Sequence, residues 1–95
     1  MLDVDINMKF VLNENIVLRG IRGKFWALDV ASGSQYRLSE SAYFLLKRFE
    51  QPESLESALE GLMKEYAVDY ETLKSDCEAV IDFAANKNIL MKVES

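Results

Sequence analysis

The stretch Ser34–Leu46 most constrains the fold, because an alternating pattern passes there directly into a helical one. In an extended Ser34–Leu38, the side chains of Ser34, Tyr36 and Leu38 would point to one side and those of Gln35 and Arg37 to the other. This alternation is typical of a half-buried strand. Ser39 is a good helix N-cap, since its hydroxyl can accept a hydrogen bond from an N–H of the first turn. Apolar residues then recur at helical spacing from Ala42 to Phe49. The sequence therefore predicts a sheet before this junction and helices after it.

Three segments before the junction are strand-like. Lys24–Val30 is rich in β-forming residues, and Ala31–Gly33 predicts a hairpin turn, with a glycine that can adopt positive φ. Lys24–Val30 and Ser34–Leu38 should therefore be antiparallel neighbours. Lys9–Leu12 and Ile16–Arg22 are also strand-like and flank a polar turn. If Ser34–Leu38 is the last strand of the sheet, one of its edges is free.

Three helices are predicted after the junction. The first runs from about Glu40 to Glu50 and is stopped by Pro52. Ser54 can cap the second, and Asp69 can cap a third over about Tyr70–Asn86.

Two features remain in the helical half. Gly61 falls in the middle of the second helix, where glycine is unfavourable, and this indicates close approach of a neighbour. Asn88–Val93 is compatible with a short extra strand or with irregular packing. The sequence thus predicts one α+β domain over residues 1–95, with a three-stranded antiparallel sheet over about 9–38 followed by three helices over about 40–86.

The composition argues against catalysis. The chain has no histidine and a single cysteine, Cys77. These counts exclude a His-activated nucleophile, an intramolecular disulfide and a thiolate metal cluster. No catalytic constellation stands out, so we expect a protein that is not an enzyme and has no metal or cofactor.

The chain shows no sign of membrane insertion or export. No apolar run approaches the ~20 residues of a transmembrane helix. The first residues carry acids where a signal peptide needs a basic region. We therefore expect a cytoplasmic protein without a membrane partner.

The charge is unevenly distributed. The net charge is −5, and residues 49–95 hold four lysines against eleven acids, whereas residues 1–48 hold seven cations against five acids. Nucleic-acid binders usually carry a basic stripe on one face. The acidic helical half predicts no nucleic-acid partner.

The predicted third helix has an unusually broad apolar arc. Its central stripe repeats at i, i+4, i+7 and i+11 and consists of Leu73, Cys77, Val80 and Ala84. Ile81 lies about 80° to one side of the stripe and Phe83 about 80° to the other. The spacing alone favours burial of both in the core. The alternative is that one edge of the arc stays open beside a free strand edge, where a peptide could add as a further strand.

The ordered set of residues resembles one family, the PqqD-type proteins, also called recognition elements for ribosomally synthesised and post-translationally modified peptides (RiPPs). The matching segments are Val17–Arg19, Leu28–Gly33, Tyr36–Ser39 with Ala42 and Leu45–Leu46, Ser54–Glu56 with Leu59 and Tyr66, Asp76 with Val80 and Phe83, and Ile89–Leu90. The chain departs from the family at Asn88–Ile89, where the family often has Gly before the final Leu, at Cys77, where it often has Val, and at Phe44, where Trp is common. These departures bear on the subfamily more than on the fold.

The resemblance implies a winged-helix-like α+β fold and a function without catalysis. Such proteins bind the leader segment of a precursor peptide and present it to a modifying enzyme, often a radical-SAM (SPASM-type) protein or another peptide maturase. Carried onto this chain, the implied peptide-binding residues are Ser34, Gln35, Tyr36, Arg37 and Leu38 on the strand edge, and Leu73, Asp76, Cys77, Val80 and Phe83 on the helix. The strand would act through its backbone and the helix through side-chain pockets, with Arg37 or Asp76 selecting charge.

Two alternative functions are also compatible with the predicted fold. A winged-helix DNA-binding module is the first, but 69–87 holds five acids and only two lysines, whereas phosphate binding depends on cations. A generic protein-interaction module is the second. Either a monomer or a homodimer is compatible with the sequence, because a free strand edge can pair with a second copy.

Overall fold

The computed structural model describes residues 7–93, and the signal-peptide argument concerns residues that lie mostly outside this range. The elements in chain order are β1 (Lys9–Leu12), β2 (Ile16–Ile21), β3 (Lys24–Asp29), β4 (Gln35–Leu38), α1 (Glu40–Arg48), β5 (Glu53–Ser54), α2 (Leu55–Glu65), α3 (Tyr70–Asn86) and β6 (Leu90–Val93). The mixed α+β class is confirmed. No helix within this range is long and apolar enough to cross a membrane.

Three of the strands form an antiparallel sheet in the order β2-β3-β4, called sheet B below. The β2–β3 hairpin turns over two residues with positive φ, Arg22 at 52° and Gly23 at 77°, as a type I′ turn requires. In the β3–β4 hairpin, Gly33 has a φ of 81°, and the Asp29 carboxylate accepts hydrogen bonds from two backbone N–H groups of the turn. The predicted antiparallel pairing of the two strands is confirmed, and β4 is an outer strand of sheet B.

The predicted single sheet followed by helices is wrong in one respect. β1 does not join sheet B but lies between β5 and β6 in a second antiparallel sheet, called sheet A. The end of β1 and the turn after it are held next to the ends of α1 and α3, because the Leu12 N–H donates to the Phe49 carbonyl (2.7 Å) and the Asn13 N–H to that of Ile89 (2.9 Å). Strands and helices therefore interleave. The extra strand at the chain end is β6, and the winged-helix-like description stays a prediction.

The helix boundaries follow their caps. The hydroxyls of Ser39 and Ser54 accept hydrogen bonds from N–H groups of α1 and α2, and the Asp69 carboxylate does the same for α3. α3 has the predicted bounds, whereas α1 ends two residues before the predicted Glu50. At the end of α3, Asn88 has a φ of 59° and the Ile89 N–H bonds to the Ala84 carbonyl (2.8 Å). Asparagine here takes the left-handed position that glycine usually fills in such caps.

The core lies between the inner face of sheet B, sheet A and the three helices. Its largest fully buried side chains are Phe10, Leu45, Leu46, Phe49, Leu55, Leu59, Ile81 and Ile89. On sheet B, the Phe25 ring packs on Tyr43 of α1 with centroids 4.6 Å apart. A Cβ at Gly20 would come within 2.9 Å of that ring, so this glycine gives Phe25 its place beneath α1.

Gly61 has the close neighbour that the sequence indicated. A Cβ at this position would overlap the guanidinium of Arg48 from α1. That guanidinium donates a 3.0 Å hydrogen bond to the carboxylate of Glu53, whose side chain is only 16% exposed. The missing side chain of Gly61 therefore makes room for an ion pair that joins α1 to the start of α2.

We expect Gly61→Ala to destabilise the protein although alanine favours helix. The gain of about 1 kcal/mol in helix propensity is outweighed when Arg48 is displaced and the Glu53 carboxylate keeps only the hydrogen bond from the Ser57 hydroxyl, a loss that costs about 1–3 kcal/mol. In an Arg48→Ala background the same substitution should instead stabilise by about 1 kcal/mol. Urea unfolding of the four variants measures both effects, and an equal effect of Gly61→Ala in the two backgrounds would contradict this account.

Candidate functional site

The outer edge of β4 carries backbone groups that no strand within residues 7–93 pairs with. In an antiparallel pair, directly opposite residues alternate between hydrogen-bonded and non-hydrogen-bonded positions. The Ser34 carbonyl accepts from the Asp29 N–H (2.9 Å). By alternation, Tyr36 and Leu38 also bond inward to β3, and Gln35 and Arg37 direct their N–H and C=O groups to the free edge. These two residues are exposed, so their backbone groups are open to a further strand.

On the inner side of this edge, β4 meets α3 through two aromatic rings. Tyr36 and Phe83 lie edge to face, with centroids 6.1 Å apart and planes at 85°. Phe83 is nevertheless 39% exposed, whereas Ile81 is fully buried. Of the two residues that flank the apolar stripe of α3, Ile81 completes the core and Phe83 does not. The open side of the apolar arc therefore faces β4.

A cavity of about 140 Å³ lies farther along α3, toward its N-terminus. α1 and α2 form the opposite walls through Leu45 and Leu62, which are buried. An engineered apolar cavity of about 150 Å³ binds benzene, so this cavity can hold one large apolar side chain. Together, the free edge of β4, the Phe83 side of α3 and this cavity form what we call the β4–α3 groove.

The predicted site residues fall into two adjoining sets. Leu73, Asp76, Cys77 and Val80 line the cavity, and Phe83 follows Val80 by about one turn of α3 and lies against Tyr36. Ser34–Leu38 supplies the edge, although the Leu38 side chain is 6% exposed and belongs to the core.

Several cavity residues were missed by the sequence reading. They are Ser41, Leu45, Leu62, Tyr66, Val68 and Thr72. The helical periodicity from Ala42 to Phe49 did assign Leu45 to an apolar face. No sequence signal shows that three such faces leave a gap where they meet.

The electrostatics of the cavity are those of an apolar pocket with an acidic rim. Asp76 is exposed, and no lysine or arginine lines the cavity. Burial raises the pKa of the Cys77 thiol to about 11, with smaller contributions from the negative charges of Asp76 and Glu78. The pKa of Tyr66 is also raised, first by desolvation and then by Glu40 and Glu65. The Cys77 thiol, with a pKa of about 11, stays neutral at pH 7 and is a poor nucleophile.

Within the described residues, no group of three His, Cys, Asp or Glu side chains is placed to hold a metal ion.

We expect the free energy of unfolding to fall between pH 9 and 11 because of Cys77. The thiol has a pKa of about 11 in the folded chain, against 9.0 for an unperturbed cysteine. The unfolded chain therefore loses its proton first, and the stabilisation present below pH 9 is lost as the pH rises through this window, by at most about 3 kcal/mol and by less where solvent screens the thiolate. Cys77→Val keeps an apolar side chain of similar size and should lack this component. Identical pH profiles of the two proteins in chemical denaturation would refute the assignment.

Two solved structures are similar to this chain over nearly its whole length. One is "TbiB1 in Complex with the TbiA(beta) Leader Peptide", with a TM-score of 0.74 and 20% sequence identity over 90% of this chain and 99% of that chain. The other is "Lasso peptide synthetase B1 complexed with the leader peptide", with a TM-score of 0.71 and 21% identity over 86% of this chain and 96% of that chain. At this level of identity the similarity establishes the fold.

The sequence itself places the chain in a family. No curated protein matches it in sequence. The family model described as "Coenzyme PQQ synthesis protein D (PqqD)" matches residues 24–90, which run from the first residue of β3 to the first residue of β6 and include all three helices. This match covers more than half of the chain and confirms the resemblance drawn from its residues. The chain belongs to the PqqD family.

Proposed function

We propose that this chain is a non-catalytic peptide chaperone that binds the leader segment of a ribosomally synthesised precursor and presents it to a modifying enzyme in the cytoplasm. The observation that carries the proposal is the free edge of β4 beside the apolar groove on α3. Both similar structures are described as complexes with a leader peptide, which supports the same use of the fold here.

Strand addition accounts for affinity without strict sequence demands. An extended peptide beside β4 would exchange backbone hydrogen bonds with Gln35 and Arg37, the residues whose N–H and C=O groups are directed outward. Main-chain bonds of this kind supply affinity in β-augmentation, and pockets for alternate side chains supply specificity. Specificity must therefore come from the α3 side of the groove.

The groove defines what kind of peptide fits. Tyr36 and Phe83 offer aromatic surface next to the strand edge, and the cavity between the helices accepts one large apolar side chain. Asp76 at the rim favours a cation on the peptide close to that side chain and disfavours an acid. We infer a leader with an apolar anchor and no carboxylate next to it.

The partner enzyme and the finer description of the fold are part of the proposal. The enzyme would be a radical-SAM protein of the SPASM type or another peptide maturase. The winged-helix-like arrangement would serve peptide binding and not DNA, because α3 is acidic. The chaperone would act as a monomer or a homodimer, with the β4 edge open in the peptide-binding form.

An NMR titration of the labelled chain tests the proposal. The probe is the leader segment of a short precursor encoded beside this chain's gene. Amide shifts concentrated in Ser34–Leu38 and 73–84 are expected on binding. Saturable shifts elsewhere would contradict the site, and no shifts with such a leader would contradict the function.

We expect Gln35→Pro to abolish leader binding while the fold is retained. Proline removes the N–H that faces the free edge, and proline is tolerated at the first residue of an edge strand. Gln35→Ala is the matched control, because it removes the same side chain and keeps the N–H. The leader affinity of both variants can be measured by calorimetry, with circular dichroism as the check of folding. Equal affinities for the proline and alanine variants would exclude strand addition at β4.

Phe83→Ala should weaken leader binding by about tenfold, which corresponds to 1.4 kcal/mol. The ring is 39% exposed and lies where a peptide along β4 would cover it. Met63→Ala on α2 is the matched control, because Met63 is 36% exposed but does not line the groove. Loss of the Tyr36 contact should cost Phe83→Ala about 1 kcal/mol of stability beyond the apolar burial that the ring gives up, so leader affinity is compared at a temperature where both variants are folded. Fluorescence polarisation with labelled leader measures the affinities, and a similar effect of both substitutions would argue against the role of Phe83.

A further inference from the structure

Sheet B has a second face, directed away from the helices, that the peptide groove does not use. Side chains alternate between the two faces of each strand, so the registers of β2, β3 and β4 define which residues share it. We call it the outer face of sheet B, and its residues are Val17, Arg19, Ile21, Lys24, Trp26, Leu28, Gln35 and Arg37.

The centre of this outer face is an aromatic ring between two arginines. Trp26 on β3 is directly opposite Arg19 on β2 and Arg37 on β4. The Arg37 guanidinium lies over the indole, 5.3 Å from the ring centroid. Val17 and Ile21 extend the apolar surface and are 39% and 49% exposed. Tryptophan and arginine are the residue types that most often dominate binding energy at protein interfaces.

The charge of this face is opposite to that of the chain. None of its eight positions carries a carboxylate, although the net charge of the protein is −5. Arg19, Lys24 and Arg37 form no ion pair with any carboxylate of residues 7–93. Arg22 adds a fourth cation in the β2–β3 turn. Cations without carboxylate partners around a half-buried tryptophan and two exposed aliphatic side chains complement a surface that is acidic at its rim and apolar at its centre.

We propose that the outer face of sheet B docks a protein partner with such an acidic-rimmed apolar surface, and that this partner is the modifying enzyme. This assignment of the partner rests on the proposed function, in which the chain must contact peptide and enzyme together. The two sites are compatible because they use different groups of Arg37. Its backbone N–H and C=O face the free edge, and its side chain lies on the outer face. The enzyme would thus contact the same strand as the leader, from the other side of the sheet.

A second copy of the chain fits this face poorly. A symmetric sheet-on-sheet dimer would place the arginines of one copy against those of the other, and like charges at an interface are costly. Docking onto the acidic helices of another copy would be a head-to-tail contact, which need not close and can generate open filaments. The charges therefore favour a different protein.

The test uses the labelled full chain and three probes: poly-L-glutamate, single-stranded oligothymidylate, and the purified peptide-modifying enzyme encoded beside the chain. Poly-L-glutamate should shift the amides of 17–28. Arg19→Glu/Lys24→Glu reverses two charges that lie away from β4, and it should weaken enzyme binding by about tenfold or more. Lys64→Glu/Lys87→Glu changes the net charge equally on the helical side, and it should leave enzyme binding within about twofold, since rim charges act locally.

Leader affinity is measured in the same samples and should be equal for both double variants. Failure of the leader to bind the wild type would contradict the proposed function, and the poly-L-glutamate and enzyme data would still decide the outer face. Equal enzyme affinities of the two double variants would overturn the docking proposal and leave leader binding intact. Tighter binding of oligothymidylate than of poly-L-glutamate at 17–28 would overturn it in favour of nucleic acid. If the wild type sediments as a dimer and the Arg19→Glu/Lys24→Glu variant does not, the docking proposal would be overturned in favour of a second copy on this face.

Discussion

The passage from β4 into α1 without an intervening loop constrains the structure around the groove. Leu38 ends the strand and is buried, and Ser39 already caps the helix through a 3.1 Å hydrogen bond from the Ala42 N–H. Since the chain turns into α1 at this point, it cannot form a hairpin that would add another strand beside β4. The cap thus removes the local way to cover the edge, and no other strand of residues 7–93 covers it. α1 is in turn held over the sheet by the Phe25–Tyr43 contact, which places it as one wall of the cavity.

Local chemistry explains which parts of the fold the sequence could predict. The caps at Ser39, Ser54 and Asp69 and the bounds of α3 depend on neighbouring residues, so pattern and residue type were sufficient. Sheet A depends on pairing between segments at opposite ends of the chain. The residues of Lys9–Leu12 and their neighbours contain no pattern that identifies β6 as the pairing partner. The sequence therefore assigns this segment to the wrong sheet.

The candidate site shows the same division between local pattern and tertiary packing. The spacing on α3 identified the residues that face inward, and the breadth of the arc raised the question of an open side. The choice between Ile81 and Phe83 needed the packing, which buries Ile81 and leaves Phe83 beside Tyr36. The cavity arises where three apolar helix faces fail to close completely, and its shape is a property of tertiary packing. The cationic outer face was dispersed over three strands and became visible only through their register.

The pairing of β1 with β6 has a consequence for how the domain folds. The hairpins of sheet B join neighbours in sequence, and loops this short close in about a microsecond or less. The β1–β6 ladder pairs Lys9 with Val93, and the entropy of closing so long a loop must be overcome before its hydrogen bonds contribute. During synthesis on the ribosome, the open edge of β4 would therefore exist before sheet A can form. For that interval the nascent chain exposes a strand edge able to capture any extended segment, including its own β1.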